Sequence, residues 1–365
     1  MSDLPRLPQL KPATCQLPVS WYFDPEVLAA ERRAMFDAGP NYVGHELMVP
    51  AAGDFHTLAW MDHAKVLVRN AGGVELLSNV CRHRQSIMLE GRGHVENIVC
   101  PLHRWTYDLR GELLGAPHFS ESPCVKLAST PLQRWNGLLF RGPADPSQAL
   151  TGLQTFADWD FSGYVLDRVT VEDYGFNWKT FVEVYLEVYH VDPFHPGLGN
   201  FTDCNAFRVD YGEDWSVQVV QAKQSFGRPG TPVYRKWHEA CLQQLDGATP
   251  NQGAMWMSYF PGLTLEWYPN VLVVSHLIPR SPTCTTNVVE FYYPEEIALF
   301  EREFVEAQQA AYAETAREDE EICLRMDRGR RALWAQGLDD AGPYQSPMED
   351  TMVHFHEWVK RRLGR

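Results

Sequence analysis

No uninterrupted apolar run approaches the 18 or so residues needed to cross a bilayer, and the segment from Met1 to Pro8 lacks an apolar h-region. The expectation is a cytoplasmic protein with no membrane partner. Basic residues are in deficit: 32 Lys and Arg stand against 47 Asp and Glu, a formal net charge of −15, with no basic stripe. Such a field repels a phosphate backbone and disfavours nucleic acid as a partner. No glycine-rich flavin or nicotinamide motif follows a strand. Six of the eight cysteines, Cys15, Cys124, Cys204, Cys241, Cys284 and Cys323, show no paired spacing and read as reduced thiols. Internal repeats and low-complexity segments are missing too.

What is present begins at Cys81-Arg82-His83 and, sixteen residues later, Cys100-Pro101-Leu102-His103. A zinc finger usually pairs Cys with Cys and His with His, so the mixed spacing fits zinc poorly. A Rieske [2Fe-2S] cluster needs two Cys on one iron and two His on the other, and each loop here supplies one of each. Arg84 follows the first His, and Trp105, Thr106, Tyr107, Asp108 and Gly111 follow the second. The stretch resembles the Rieske domain of the ring-hydroxylating and related Rieske non-heme iron oxygenases, whose loops read Cys-x-His-Arg-Gly and Cys-Pro-Tyr-His-Gly-Trp. Gln85 and Arg104 replace glycines of that pattern, and Leu102 replaces its aromatic residue.

A length of 365 residues predicts two domains. Helical spacing behind Pro25 predicts a helix over 24–38. Short strands between Gly, Asp and Asn turns predict a small antiparallel β domain, with strands over 47–49, 55–61, 65–70, 74–79, 98–99, 105–109 and 137–140. Further on, strand patterns over 164–172, 207–211, 216–222, 256–260, 263–268, 271–279 and 285–293 are interleaved with helical patterns over 177–190, 295–326 and 348–362. Long helices over one antiparallel sheet make this part α+β. The expected division is an arm and helix over 1–40 packing on the catalytic part, a Rieske domain over 41–143 and a catalytic domain over 144–365. The resemblance implies a helix-grip (START-like) fold for the last. Residues 227–232 and 245–253 read as loops.

The predicted helix from Asn177 runs toward His190-Val191-Asp192-Pro193-Phe194-His195, with Pro193 expected to end it and leave His190 in its last turn. Two His and one carboxylate on one face leave an iron with open positions for O2. The stretch resembles the oxygenases' catalytic motif, Asn-Trp-Lys, an acid, then Tyr-His and a second His. The resemblance implies that His190 and His195 bind a mononuclear Fe(II) and that Glu187 bridges the two metal centres. It also points to Asp319, in Glu318-Asp319-Glu320-Glu321-Ile322-Cys323 with Gly329 beyond, as the third ligand. Ala311, Thr315, Asp319, Ile322 and Met326 share one helical side, while the surrounding acids predict a solvated face.

The resemblance therefore implies an oxygenase component that hydroxylates or demethylates a small aromatic compound, amine or betaine. It implies one cluster and one iron per subunit, a homotrimer and a separate NAD(P)H-dependent reductase, with or without a ferredoxin. A Rieske electron carrier or redox sensor is the alternative reading, disfavoured by roughly 220 residues beyond the β domain, enough for a second domain. Pocket walls are expected from 201–203, the strand over 253–259, Trp267, Tyr268 and the segment after Ala222.

Overall fold

Asp24 caps the first substantial helix by accepting from the Glu26 N–H at 2.8 Å, and Pro25 takes the first helical position, where no N–H is missed. This helix, Pro25–Glu31, runs into a wider turn over Arg32–Asp37. The computed structural model describes residues 16–39, 41–223, 230–248, 250 and 252–364. Residues 20–37 bury Tyr22, Phe23, Val27 and Met35 against Trp178, Phe260, Phe355 and Trp358. Beneath them Lys179 Nζ meets Glu31 Oε1 at 2.7 Å, both side chains fully buried, and Trp178 Nε1 donates to the other Glu31 oxygen. A charge taken out of water needs such a partner.

The small β part holds a five-stranded antiparallel sheet, ordered Arg92–His94, Asp54–Thr57, Lys65–Asn70, Gly73–Ser78, Ser129–Thr130. Beside it stand two three-stranded sheets. One is Ile98–Val99, Thr106–Tyr107, Leu113–Gly115; the other places Leu138–Arg141 between Asn41–His45 and Gln133–Trp135. The predicted strand over 47–49 is a correction: Glu46–Met48 is a 3-10 turn, started by His45 Nδ1 accepting from the Leu47 N–H at 3.0 Å.

Seven antiparallel strands form the large sheet, in the order Tyr164–Tyr174, Cys284–Pro294, Val271–Ser281, Leu263–Tyr268, Ala254–Tyr259, Trp215–Ala222, Thr202–Tyr211. From Thr202 to Pro294 neighbouring strands follow chain order, with the helix Pro232–Gln244 between Ala222 and Ala254, and the first strand closes on the last. Alternation gives the sheet two apolar faces. Trp256, Val273 and Phe291 face the long helix Arg302–Ala335, whose Phe304, Val305 and Ala311 cover them. Met255, Leu265, Leu272 and Tyr292 face the other way, toward Tyr42, Leu138 and Phe140 of the small β part. The two parts thus share buried surface, which Tyr42 Oη reinforces by donating to Glu290 at 2.7 Å. Among the described residues no helix is long and apolar enough to cross a membrane.

Two helical stretches of this part differ from expectation. The helix over 295–326 divides at Glu301 and its second part continues to Ala335. Gly329 does not stop it, because Arg330 pairs with buried Glu183 at 2.6 Å and lies 4.0 Å over the Tyr22 ring. Pro232–Gln244 is a helix the pattern missed, capped by Thr231 accepting from the Tyr234 N–H. Of the predicted loop over 227–232, residues 227–229 lie outside the described residues.

Candidate active site

Each cluster loop is a tight turn closed by its own backbone. Cys81 donates to Ser86 O at 2.9 Å and accepts from the Gln85 N–H at 3.1 Å; Cys100 donates to Trp105 O at 2.8 Å and accepts from the Arg104 N–H at 3.0 Å. Gln85 and Arg104 sit at φ 53° and 61°. These are the left-handed positions that favour glycine, so the residues that depart from the family pattern keep its backbone at a steric cost.

Both thiols are buried, and burial pushes the Cys100 thiol up, the neighbouring Cys81 adding to it. On the other side the His83 and His103 rings stand 4.7 Å apart, with Trp105 stacked on His83 at 4.8 Å and 4°. His83 Nδ1 is buried with no hydrogen-bond partner. Two adjacent thiols, two adjacent imidazoles and an orphaned ring nitrogen fit a [2Fe-2S] cluster held by Cys81, His83, Cys100 and His103.

The second centre grows from a broken helix. Asn177 caps Trp178–Leu186 by accepting from the Lys179 N–H at 3.0 Å. The predicted run to His190 is a correction, because Glu187 is already extended at φ −101° and ψ 128°. Thr351 Oγ1, from the last helix Asp350–Leu363, takes the Leu186 carbonyl, and the Val188 N–H bonds Met348 O at 3.2 Å. Released from that helix, His190 caps a short new one, Val191–Phe194. Pro193 does not end helical geometry as expected; it lies in the first turn, where its missing N–H leaves no bond unmade.

Across this turn His190 Nε2 and His195 Nε2 meet at 3.0 Å, and Asp319 Oδ1 lies 2.9 Å from His195 Nε2 and 3.4 Å from His190 Nε2. These three residues, the group expected from sequence, bring their donor atoms within 4.8 Å of one another. The far ring edges also meet carboxylates. His195 Nδ1 lies 2.7 Å from Glu318 Oε2, and His190 Nδ1 lies 2.7 Å from Glu187 Oε1, too poorly aligned for a full hydrogen bond. The second Glu187 oxygen accepts the His190 backbone N–H at 2.9 Å. Among the described residues no hydrogen bond joins Glu187 to His83 or His103.

Burial opposes charge on His190, but Asp319 and Glu187 outweigh it and hold the imidazolium up to about 10. Burial likewise raises the Asp319 carboxyl, while the two imidazoles bring it below its ordinary value. An acidic, imidazole-rich pocket that grips protons in this way fits a dication: each Nδ1 turned to a carboxylate leaves Nε2 free for metal.

Glu318 was not foreseen in this role. The solvated face expected for its helix is only partly found: Glu321 is exposed, but Glu314 accepts from Thr231 Oγ1 at 2.7 Å, Asp327 is buried under the Asn177 N–H, and Glu320 lines the cavity.

That cavity, about 970 Å³ counting its open mouth, adjoins the three donors and runs between the large sheet and the long helix. Phe201, Trp256 and Tyr268 line it as expected. Trp267 does not: one residue out of step with Glu266 and Tyr268, it packs on the opposite face. Residues 224–229, beyond Ala222, lie outside the described residues. Glu266 was missed, though a lone acid among Leu263, Leu265 and Trp267 is a legible signal. It is 5% exposed, and burial pushes its carboxyl up to about 7 against the hydrogen bond from Tyr268.

Residues 40–131 match the Rieske [2Fe-2S] domain, and residues 158–365 match the ring hydroxylating alpha subunit (catalytic domain). The chain is 60% identical to putrescine 2-hydroxylase of Ralstonia nicotianae over 99% of both chains. It is 52% identical to the protein of the same name from Bordetella bronchiseptica, over 100% of this chain and 88% of that one. A glycine betaine monooxygenase oxygenase subunit of Chromohalobacter salexigens is 26% identical over 94% of this chain and 84% of its own. In fold the chain is similar to a quaternary ammonium Rieske monooxygenase in complex with L-carnitine, with a TM-score of 0.74, 18% identity and 96% of each chain covered. These matches to both halves show that the chain belongs to the Rieske non-heme iron oxygenase alpha subunits, oxidoreductases that carry a Rieske [2Fe-2S] cluster and a mononuclear iron.

Proposed function

We propose that this protein hydroxylates a small aliphatic amine with O2, its chemistry seated in residues 144–365 and its electrons entering through the cluster of residues 41–143. The observation that carries the substrate class is the cavity's charge. Besides Asp319 and Glu187, which belong to the iron site in this reading, its lining includes the carboxylates of Glu266 and Glu320 and no Lys or Arg. An aromatic hydrocarbon gains nothing from a buried carboxylate such as Glu266, whereas an alkylammonium is held by it. The relatives named putrescine 2-hydroxylase and glycine betaine monooxygenase support the same class.

In this reading His190, His195 and Asp319 hold the iron, and Cys81, His83, Cys100 and His103 the cluster; when bound, the two supply O2 activation and single electrons. Glu318 and Glu187 keep His195 and His190 turned with Nε2 inward. Glu187, at the rim, is the carboxylate through which a proton moves as an electron arrives. The wall of Trp256, Tyr268 and Phe201 excludes water from the substrate.

A ring of three subunits, the cluster of one beside Glu187 of the next, fits the exposed apolar residues. Leu102 is 55% and Phe119 49% exposed beside the cluster loops, and Tyr189 is 55% exposed beside His190. A separate reductase supplies the electrons. A carrier that merely passed electrons on would have no use for the cavity or for the donors that meet beside it.

The test is aerobic turnover with a surrogate reductase over 1,4-diaminobutane, glycine betaine and naphthalene, with iron counted. About three irons per chain and an amine product one oxygen heavier are expected. About two irons and no product would instead favour the carrier.

A further inference from the structure

Glu266 lies on the central strand Leu263–Tyr268, directly opposite Trp256 on the neighbouring strand and two residues before Tyr268, so all three side chains share the cavity face. Tyr268 Oη donates to Glu266 Oε2 at 2.8 Å, and Trp256 Nε1 donates to Tyr268 Oη at 3.1 Å. This relay fixes one carboxylate oxygen from behind and leaves the other for a partner. No Lys, Arg or His among the described residues pairs with Glu266, whereas buried Glu31 and Glu183 each have a cation; Glu290, bonded by Tyr42 and Tyr292 alone, also has none, but it does not line the cavity. An ionised carboxylate in this setting lacks a counterion, and the cavity is where one can enter. The rings of Tyr185 and Tyr312 line the same cavity. A cation on Glu266 therefore sits among aromatic rings as well.

We propose that Glu266, oriented by Tyr268 and Trp256, binds a primary ammonium end of the substrate and makes the enzyme select free amines over quaternary ammonium compounds. The proposal rests on the amine reading above and adds to it the residue that reads the nitrogen. The selectivity follows from donor count. A primary ammonium offers three N–H donors and makes a charge-assisted hydrogen bond to the carboxylate; a trimethylammonium offers none and leaves the carboxylate oxygen unbonded in a buried site. Aromatic walls alone attract both kinds of cation, so the discrimination lies in the carboxylate. Glu266 is a specificity-determining residue, not a ligand of the iron.

The test is calorimetry on the holoenzyme with 1,4-diaminobutane and its bis-trimethylammonium counterpart, in the wild type, Glu266→Gln and Tyr268→Phe. Cluster spectrum and iron content verify each fold. The wild type is expected to prefer the diamine by about 30-fold or more, Glu266→Gln to lose most of that preference by weakening the diamine, and Tyr268→Phe to lose about 5-fold. If Glu266→Gln fails to fold, the Tyr268→Phe ratio decides. A preference that survives in the folded variants means that shape does the selecting, and the proposal falls. Diamine hydroxylated equally well by wild type and Glu266→Gln overturns the proposal but not the amine reading. Diamine bound in a Glu266-dependent way without an oxygenated product overturns the hydroxylase reading but not the proposal. A wild type that binds no amine removes both.

Discussion

His195 Nδ1 lies 2.7 Å from Glu318 Oε2 while its Nε2 lies 2.9 Å from Asp319 Oδ1, so one buried imidazole is held between two adjacent carboxylates of one helix. Their roles separate by ring edge. Glu318→Gln should weaken iron binding by about 10- to 100-fold without abolishing it, since the ring keeps its place but loses its charged partner. Asp319→Ala should empty the site outright. Chelator titration followed by iron counting checks both, and equal losses in the two variants would undo the distinction.

Glu187 bonds the His190 backbone and approaches its Nδ1, placing the carboxylate at the outer edge of the proposed iron site. Glu187→Gln should leave cluster and iron bound yet lower coupled product formation by about 10- to 100-fold. Stopped-flow absorbance of cluster reoxidation should slow in step with it. Unchanged turnover would remove Glu187 from the electron route.

Tyr107 Oη accepts the Arg82 N–H at 3.2 Å and stands 3.6 Å from Cys81 Sγ, leaving its own proton to point at the sulfur. A donor at a cluster sulfur stabilises the added electron, so Tyr107→Phe should lower the cluster potential. A spectroscopic redox titration reads the shift, and an unchanged or higher potential would show that the hydroxyl does not act on the cluster.

Glu290 is fully buried where the two parts of the molecule meet, and burial pushes its carboxyl up from 4.5 to about 7 against the hydrogen bonds from Tyr292 and Tyr42. Between those pH values the folded state keeps a proton that the unfolded chain has lost. Stability therefore falls as pH rises through that window, by on the order of 3 kcal/mol for this group once above it. Glu290→Gln should flatten the fall in apparent Tm between pH 5 and pH 8; the same slope in the variant would rule Glu290 out as its source.

The proposed metal ligands were legible because metals restrict residue type and spacing: Cys81, His83, Cys100 and His103 stand out by their own pattern, and His190 and His195 by resemblance to the family motif. Glu318 was not, since nothing local separates it from the other acids of its helix; only the fold brings His195 to it. The same limit explains the helix ends. Asn177 announces a start through its own side chain, but the end at Leu186 is set by Thr351, 165 residues away, and Gly329 fails to stop the long helix because Arg330 is held by Glu183 and Tyr22. Pro232–Gln244 carried its own signal, Thr231 followed by Pro232, in a stretch dominated by loop residues.

The hold of the last helix on the turn of His190 and His195 changes what that helix is for. Thr351 and Met348 bond the chain on either side of Glu187, three residues before His190, so residues 348–351 act as a jig for the turn that carries His190 and His195. Damage to that helix would loosen the turn of His190 and His195 together with the core that Phe355 and Trp358 share with Trp178.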